Sequence, residues 1–249
     1  MKVTILQRNL LWANPQENVK GADDAIDRNP GADLYVLPEM FSTGFCTNPE
    51  GIAESAQSDT LLWMQRKAKE KDAAIAGSVA VAENGKFYNR FYFVKPDGSV
   101  AYYDKKHLFT FGGEHRRFTA GHERVVVEFR GVRMLLEICY DLRFPVWARN
   151  RRDYDMILYV ASWPTPRVSA WSALLVARAI ENQCFVVGVN RVGKDLSCEY
   201  CGGSVVLDPY GKPLAVCEDG VECEATAVID MQALDDFRKK FPVLDDADL

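Results

Sequence analysis

The chain has 249 residues, 48% of them hydrophobic and 26% charged, which is enough apolar content to bury a large core without disulfide staples. Against 35 Asp and Glu, its 30 Lys and Arg leave a net charge of -5, so there is no basic footprint for nucleic acid or for an anionic membrane surface. A small molecule is the expected partner, and with no linker-like stretch or internal repeat a single domain over residues 1–249 is expected.

The first β-rich run, over 3–6, lies between charged residues and lacks both the apolar stretch and the small-residue cleavage site of a signal peptide. A helix follows with its caps visible: Asn14 as N-cap, Pro15 at the first helical position, Glu17 in the first turn, Val19, Ala22 and Ile26 on one face, and Asn29-Pro30-Gly31 as the stop. A strand over 34–37, a helix over 58–71, and strands over 73–81, 90–94, 125–129, 132–138 and 156–160 come next. The helix over 171–183 puts Leu174, Leu175 and Ala179 toward the core. Strands over 185–190, 204–207 and 225–229 precede a last helix that follows Asp230 and stops at Pro242. This alternation predicts an α/β fold with helices outside sheet, and several of the strands are continuously apolar, as strands covered on both faces are. No stretch approaches the roughly 18–20 apolar residues that a membrane helix needs. The seven cysteines (Cys46, Cys139, Cys184, Cys198, Cys201, Cys217 and Cys223) are odd in number and suit free thiols in a reducing compartment. A cytoplasmic location is the expectation.

Reactive side chains stand at the ends of apolar strands, where α/β proteins collect active-site groups. Glu39 follows Leu34-Tyr35-Val36-Leu37-Pro38, Cys139 follows Val132 to Ile138, and Lys105 sits in Tyr102-Tyr103-Asp104-Lys105-Lys106-His107. Singly, each reads as an ordinary carboxylate, a buried thiol or a surface lysine. Together, Leu37-Pro38-Glu39-Met40-Phe41, Tyr103-Asp104-Lys105-Lys106-His107-Leu108 and Glu137-Ile138-Cys139-Tyr140-Asp141-Leu142-Arg143-Phe144-Pro145 resemble the glutamate, lysine and cysteine motifs of the nitrilase superfamily, in that order. The resemblance spans nearly the whole chain. Of the two adjacent lysines, Lys105 stands two positions before His107, as the family lysine does, with Lys106 as the alternative.

The resemblance implies a Glu-Lys-Cys triad on a four-layer αββα sandwich, often paired as a homodimer or a higher homo-oligomer. Cys139 would be the nucleophile, and Glu39 the general base that takes its proton and later activates water. Lys105 and the backbone N–H of Tyr140 would stabilise the oxyanion. Glu114, in Phe111-Gly112-Gly113-Glu114-His115, stands where the family often places a supporting second glutamate. The implied reaction is acyl transfer from an amide through a thioester, with no metal and no organic cofactor.

Within the superfamily, Cys139-Tyr140-Asp141-Leu142-Arg143-Phe144-Pro145, Phe41-Ser42-Thr43-Gly44-Phe45 and Ala179-Ile180-Glu181-Asn182-Gln183 look most like the omega-amidase branch. That branch implies short dicarboxylic monoamides such as 2-oxoglutaramate, 2-oxosuccinamate or succinamate. Their carboxylate needs a cation, for which Arg143 and Arg167 are the candidates, Arg143 alternatively bracing its own loop against an acid. Phe41, Phe45 and Trp163 are candidate pocket walls. A carbamoylase or another aliphatic amidase would share the triad. Cys198-Glu199-Tyr200-Cys201 also has C-x-x-C spacing, and Cys217 with Cys223 would complete four thiolates for a zinc-binding or redox module. His107, His115 and His122 lack an accompanying serine elbow and read as structural or pocket-lining.

Overall fold

The structure, a computed structural model, describes residues 1–247. One sheet contains β1 (Lys2–Gln7), β2 (Leu34–Val36), β3 (Glu54–Ser55), β4 (Ala74–Glu83), β5 (Lys86–Val94), β6 (Val100–Asp104) and the late strand β15 (Cys223–Val228). Its order is β15-β1-β2-β4-β5-β6, with β3 paired to β4. The second contains β7 (Val126–Phe129), β8 (Val132–Ile138), β9 (Met156–Ala161), β10 (Phe185–Asn190), β13 (Val205–Leu207) and β14 (Pro213–Val216), in the order β14-β13-β10-β9-β8-β7. A separate hairpin pairs β11 (Val192–Lys194) with β12 (Glu199–Cys201). Parallel pairing runs through the middle of each sheet, β1-β2-β4 in one and β8-β9-β10 in the other, and the short β3 also lies parallel to β4.

Side-chain alternation turns these sheets into four layers. Val3, Ile5, Leu34, Val36, Met134, Leu136, Met156 and Leu158 meet in the core between the sheets. The opposite phase of the first sheet, with Tyr35, Leu37 and Ile75, packs on Ala22, Ile26, Trp63 and Met64 of α1 (Pro15–Arg28) and α2 (Asp59–Lys71). On the second sheet, Leu135, Ile157 and Tyr159 pack on Trp171, Leu175 and Ala179 of α4 (Val168–Asn182). Two short elements, α3 (Pro145–Ala148) and the C-terminal α5 (Met231–Lys240), complete the helices. The expected αββα sandwich is therefore the fold. Each large apolar side chain transferred into these layers contributes roughly 1.5–3 kcal/mol.

The local signals behave as the sequence predicts at the helix ends. The Asn14 side chain accepts the N–H of Glu17, and Ser58 and Asp230 cap α2 and α5 in the same way. Differences fall where packing outweighs local pattern. β5 begins at Lys86 rather than at 90, α4 begins at Val168 rather than at 171, and Leu174 is only half-buried. β3, β6, β11, β12 and β14, each five residues or fewer, carry too little periodicity to be read locally. Among the described residues, no helix is long and apolar enough to cross a membrane.

Candidate active site

The ends of β2, β6, β8 and β9 converge on one buried cluster. Glu39 lies just beyond β2 with its carboxylate fully buried. Its Oε1 accepts from Lys105 Nζ at 2.9 Å and from Asn89 Nδ2 at 2.8 Å, and its Oε2 accepts from the Ser162 backbone N–H at 2.8 Å. Lys105, immediately after β6 and 1% exposed, also donates to Glu114 Oε2 at 3.0 Å. Glu114 is held in turn by the Phe109 N–H at 2.6 Å and by Asn89 Nδ2 at 3.2 Å. Two of the three Lys105 N–H bonds are thus taken by carboxylates, which leaves one for a substrate oxygen.

Cys139 ends β8 in a strained backbone conformation, with φ of +46°. The chain turns there into a single 3-10 turn over 139–143, lifting the thiol out of the sheet toward Glu39 and the Ser162 backbone. Asp141 braces this turn. Its Oδ2 accepts from the Ile138 N–H and the Tyr103 hydroxyl, both at 2.9 Å, and its Oδ1 accepts the His107 N–H at 2.9 Å and meets His107 Nδ1 at 2.8 Å. One carboxylate therefore ties the thiol turn to the loop that carries Lys105.

Burial sets the electrostatics. It pushes the Cys139 thiol well above the ordinary cysteine range, as does the charge of Glu39, while Lys105 opposes both. The resting thiol is neutral and needs a base to react. Burial works against the Lys105 charge, but Glu114 and Glu39 outweigh it and hold the ammonium above the usual lysine range. Glu114 is raised, first by burial and then by the repulsion of Glu39, with Lys105 pulling the other way.

Above the cluster opens a cavity of about 490 Å³. Glu39, Lys105, Cys139 and Ser162 form its reactive floor, and Phe45, Phe109, Tyr140, Arg143, Trp163 and Arg167 are among its walls. Arg143 stacks its guanidinium 4.9 Å from the Trp163 ring centre, and Arg167 lies 5.5 Å from that of Phe109. Among the described residues neither arginine pairs with a carboxylate, and Arg143 faces the Trp163 ring rather than an acid of its own loop. Phe45 sits over Lys105, 5.5 Å from Nζ to ring centre.

Phe41 is a correction. Residues 39 and 41 would share a face in an extended chain, but Met40 has φ of +46°, and this reverses the direction. Phe41 is buried on the outer face of the first sheet, 6.0 Å from the Trp63 ring, away from the cavity. Lys106 points elsewhere too, its ammonium 5.5 Å from the Trp147 ring, leaving Lys105 as the lysine of the cluster. Nor does the four-thiolate alternative assemble: among the described residues no three His, Cys, Asp or Glu side chains are grouped to hold a metal ion. Cys198 instead lines the cavity, while the Cys217 thiol donates to the Cys223 carbonyl. His107, His115 and His122 are not among the lining residues.

Several members of the site escape a reading of motifs. Asn89 is a polar residue in the inward phase of β5, a signal hidden by starting that strand at 90. Ser162 acts through its backbone, which no side-chain pattern reveals. Trp12 and the loop residues Asp195, Leu196 and Ser197 complete the rim from distant segments.

The profile of the carbon-nitrogen hydrolase family matches residues 2–239. Over its full length the chain is 48% identical to omega-amidase YafV of Escherichia coli strain K12, covering 97% of that protein. It is 38% identical to a 2-oxoglutaramate amidase of Bacillus subtilis strain 168, with 99% of this chain and 98% of that one aligned. Among solved structures, a CN-hydrolase superfamily protein of Xanthomonas campestris with an arsenic adduct in its active site superposes with a TM-score of 0.97 at 40% identity, covering 100% of this chain and 97% of that one. With the buried cluster in place and these relatives aligned end to end, the chain belongs to the carbon-nitrogen hydrolase family, in the omega-amidase branch of the nitrilase superfamily, and is a hydrolase of amide carbon-nitrogen bonds.

Proposed function

We propose that this enzyme removes the terminal amide of short dicarboxylic monoamides, such as 2-oxoglutaramate, 2-oxosuccinamate and succinamate, through a thioester on Cys139. The observation that carries the substrate class is the pair of guanidiniums, Arg143 and Arg167, lining the cavity without carboxylate partners among the described residues. A free carboxylate at the far end of the substrate supplies the missing anion, and guanidinium receives it in bidentate fashion. The names of the omega-amidase and 2-oxoglutaramate amidase relatives support the same class.

In the first half-reaction Glu39 takes the thiol proton as Cys139 Sγ bonds to the amide carbon. The oxygen gains negative charge, which the remaining Lys105 N–H and the Tyr140 backbone N–H stabilise. Collapse breaks the carbon-nitrogen bond while Glu39 passes its proton to nitrogen, releasing ammonia. In the second half-reaction Glu39 deprotonates water, hydroxide adds to the thioester carbon, and the sulfur leaves and regains the proton as the acid departs. Glu114 stays paired with Lys105 throughout and holds the ammonium in place.

Ammonia release should be measured from succinamate, 2-oxoglutaramate, glutamine, a neutral aliphatic amide and an N-carbamoyl amino acid, in wild type and in Cys139→Ala. The omega-monoamides should turn over only with Cys139 present, and Arg143→Ala and Arg167→Ala should lower kcat/KM for them more than for the neutral amide. Preference for the neutral amide, with both arginine variants silent on succinamate, would refute the substrate assignment; preference for the carbamoyl compound would replace it with a carbamoylase.

A further inference from the structure

We infer that Asn89 is a positioning residue that locks the two active-site carboxylates to Lys105 by donating one N–H to each. The inference rests on the reading of Cys139, Glu39 and Lys105 as the reacting groups. Phe91 and Phe93 of β5 point into the core between the sheets, and Asn89 takes the same phase within the strand, fully buried. An amide in that apolar row is costly to bury unless it is hydrogen-bonded. Its Nδ2 lies 2.8 Å from Glu39 Oε1 and 3.2 Å from Glu114 Oε1, so both of its protons are committed. The reverse amide orientation would set Oδ1 against two carboxylate oxygens. The backbone carbonyl of the same residue accepts the Lys105 N–H at 2.9 Å. Asn89 thus touches Glu39, Glu114 and Lys105 at once.

Without those donors, Glu39 and Glu114 face each other across one ammonium. The groups around them are Glu39 after β2, Lys105 after β6, Glu114 in the 114–116 turn, Cys139 after β8, and the Cys46 thiol, which burial and the two glutamates push up to about 12. Lys105 is the only cation in this set. Two acids sharing one cation repel, and removing a hydrogen bond to the charged form of either makes it easier to protonate. Asn89 therefore holds both carboxylates in place and keeps the ammonium centred between them.

Two readouts test this in wild type, Asn89→Leu and Asn89→Asp: the pH dependence of iodoacetamide alkylation at Cys139, mapped by peptide, and steady-state turnover of succinamate. Melting curves identify the variants that fold. Asn89→Leu should lower kcat about 10- to 100-fold with little change in KM, the scale of a misplaced catalytic group. The acid limbs of both the alkylation and kcat profiles should move to higher pH. Asn89→Asp keeps the shape but replaces the N–H donors with a third carboxylate, so its kcat should fall further. A space-filling role predicts the reverse order, with aspartate the milder change and the acid limbs unmoved, and that result overturns the inference. Should the leucine variant not fold, the aspartate variant alone decides: wild-type alkylation and an unmoved acid limb would overturn the inference. Failure of Cys139 to be the first thiol modified in wild type would instead sink the underlying assignment of the reacting groups.

Discussion

Two buried glutamates at the heart of this molecule live in opposite surroundings. Glu39 meets N–H donors from Asn89, Lys105 and Ser162. Glu137, on β8 two residues before the nucleophile, is equally inaccessible, yet neither of its oxygens has a protein hydrogen-bond partner among the described residues. It sits opposite Tyr159 in the β8-β9 register, on the face covered by α4, and the Tyr159 hydroxyl and Arg178 Nε are likewise unpartnered there. Burial, reinforced by the charge of Asp141 and opposed by those of Arg124 and Arg178, pushes the Glu137 carboxyl well above the usual carboxylate range. Inaccessibility alone does not make a catalytic acid or base. What equips one glutamate for proton transfer is the set of donors aimed at it and the open cavity beside it, and the other glutamate has neither.

The sharpest way to break this contrast is at its cation. Lys105→Met leaves Glu39 and Glu114 facing each other with no positive charge between them and removes an oxyanion donor. Turnover should fall by about 10²- to 10³-fold or more. Breaking a buried ion pair from one side should also cost about 3–5 kcal/mol of stability, read by denaturant unfolding. A variant with near-normal kcat would mean that the ammonium is structural only.

The brace beneath the nucleophile comes next. Asp141 accepts from Ile138, Tyr103 and His107 through both oxygens, and Asp141→Asn turns one acceptor into a donor that faces those donors. A loss of about 1–3 kcal/mol in stability is expected, together with a fall in kcat of roughly 10- to 100-fold as the thiol turn and the lysine loop lose their shared anchor. Unfolding curves and kcat identical to wild type would show that Asp141 does not brace the thiol turn.

The smallest effect on activity is the one that most sharpens the comparison. Glu137→Gln puts a neutral amide of the same shape outside the cavity, and kcat should stay within about twofold of wild type, because Glu137 neither lines the cavity nor bonds to the reacting groups. Stability should nevertheless change with pH. A carboxyl whose folded value is raised above its unfolded value of 4.5 holds more protons in the native state, so its contribution is present below that value and is lost as pH rises above it. The melting temperature of Glu137→Gln relative to wild type should therefore climb with pH above about 4.5. A difference that is flat across pH would show that Glu137 is not carried protonated.

Much of the site was legible because its reactive side chains sit at strand ends inside local motifs. Glu39 and Cys139 are announced by the strands that precede them, and Lys105 by its motif, its place two positions before His107 setting it apart from Lys106. Phe41 turns away from the cavity because one residue with positive φ, Met40, overrides the alternation that an extended chain would obey. Asn89 is not legible in the sequence because β5 reaches back to Lys86, a boundary set by pairing with β4 rather than by hydrophobicity. A backbone donor such as the Ser162 N–H leaves no trace in residue type.

By itself the sequence determined the class of elements, the capped helix start at Asn14, the two-sided burial of the central strands, and a thiol-based hydrolytic chemistry. These follow from local periodicity, from capping, and from the reactivity of particular side chains. Only the tertiary structure decided which groups meet. The donors to Glu39 come from 50, 66 and 123 residues away, through strand order and through the packing of one sheet on the other. Such contacts depend on how whole layers stack, and layer stacking is a property of the assembled core rather than of any window along the chain.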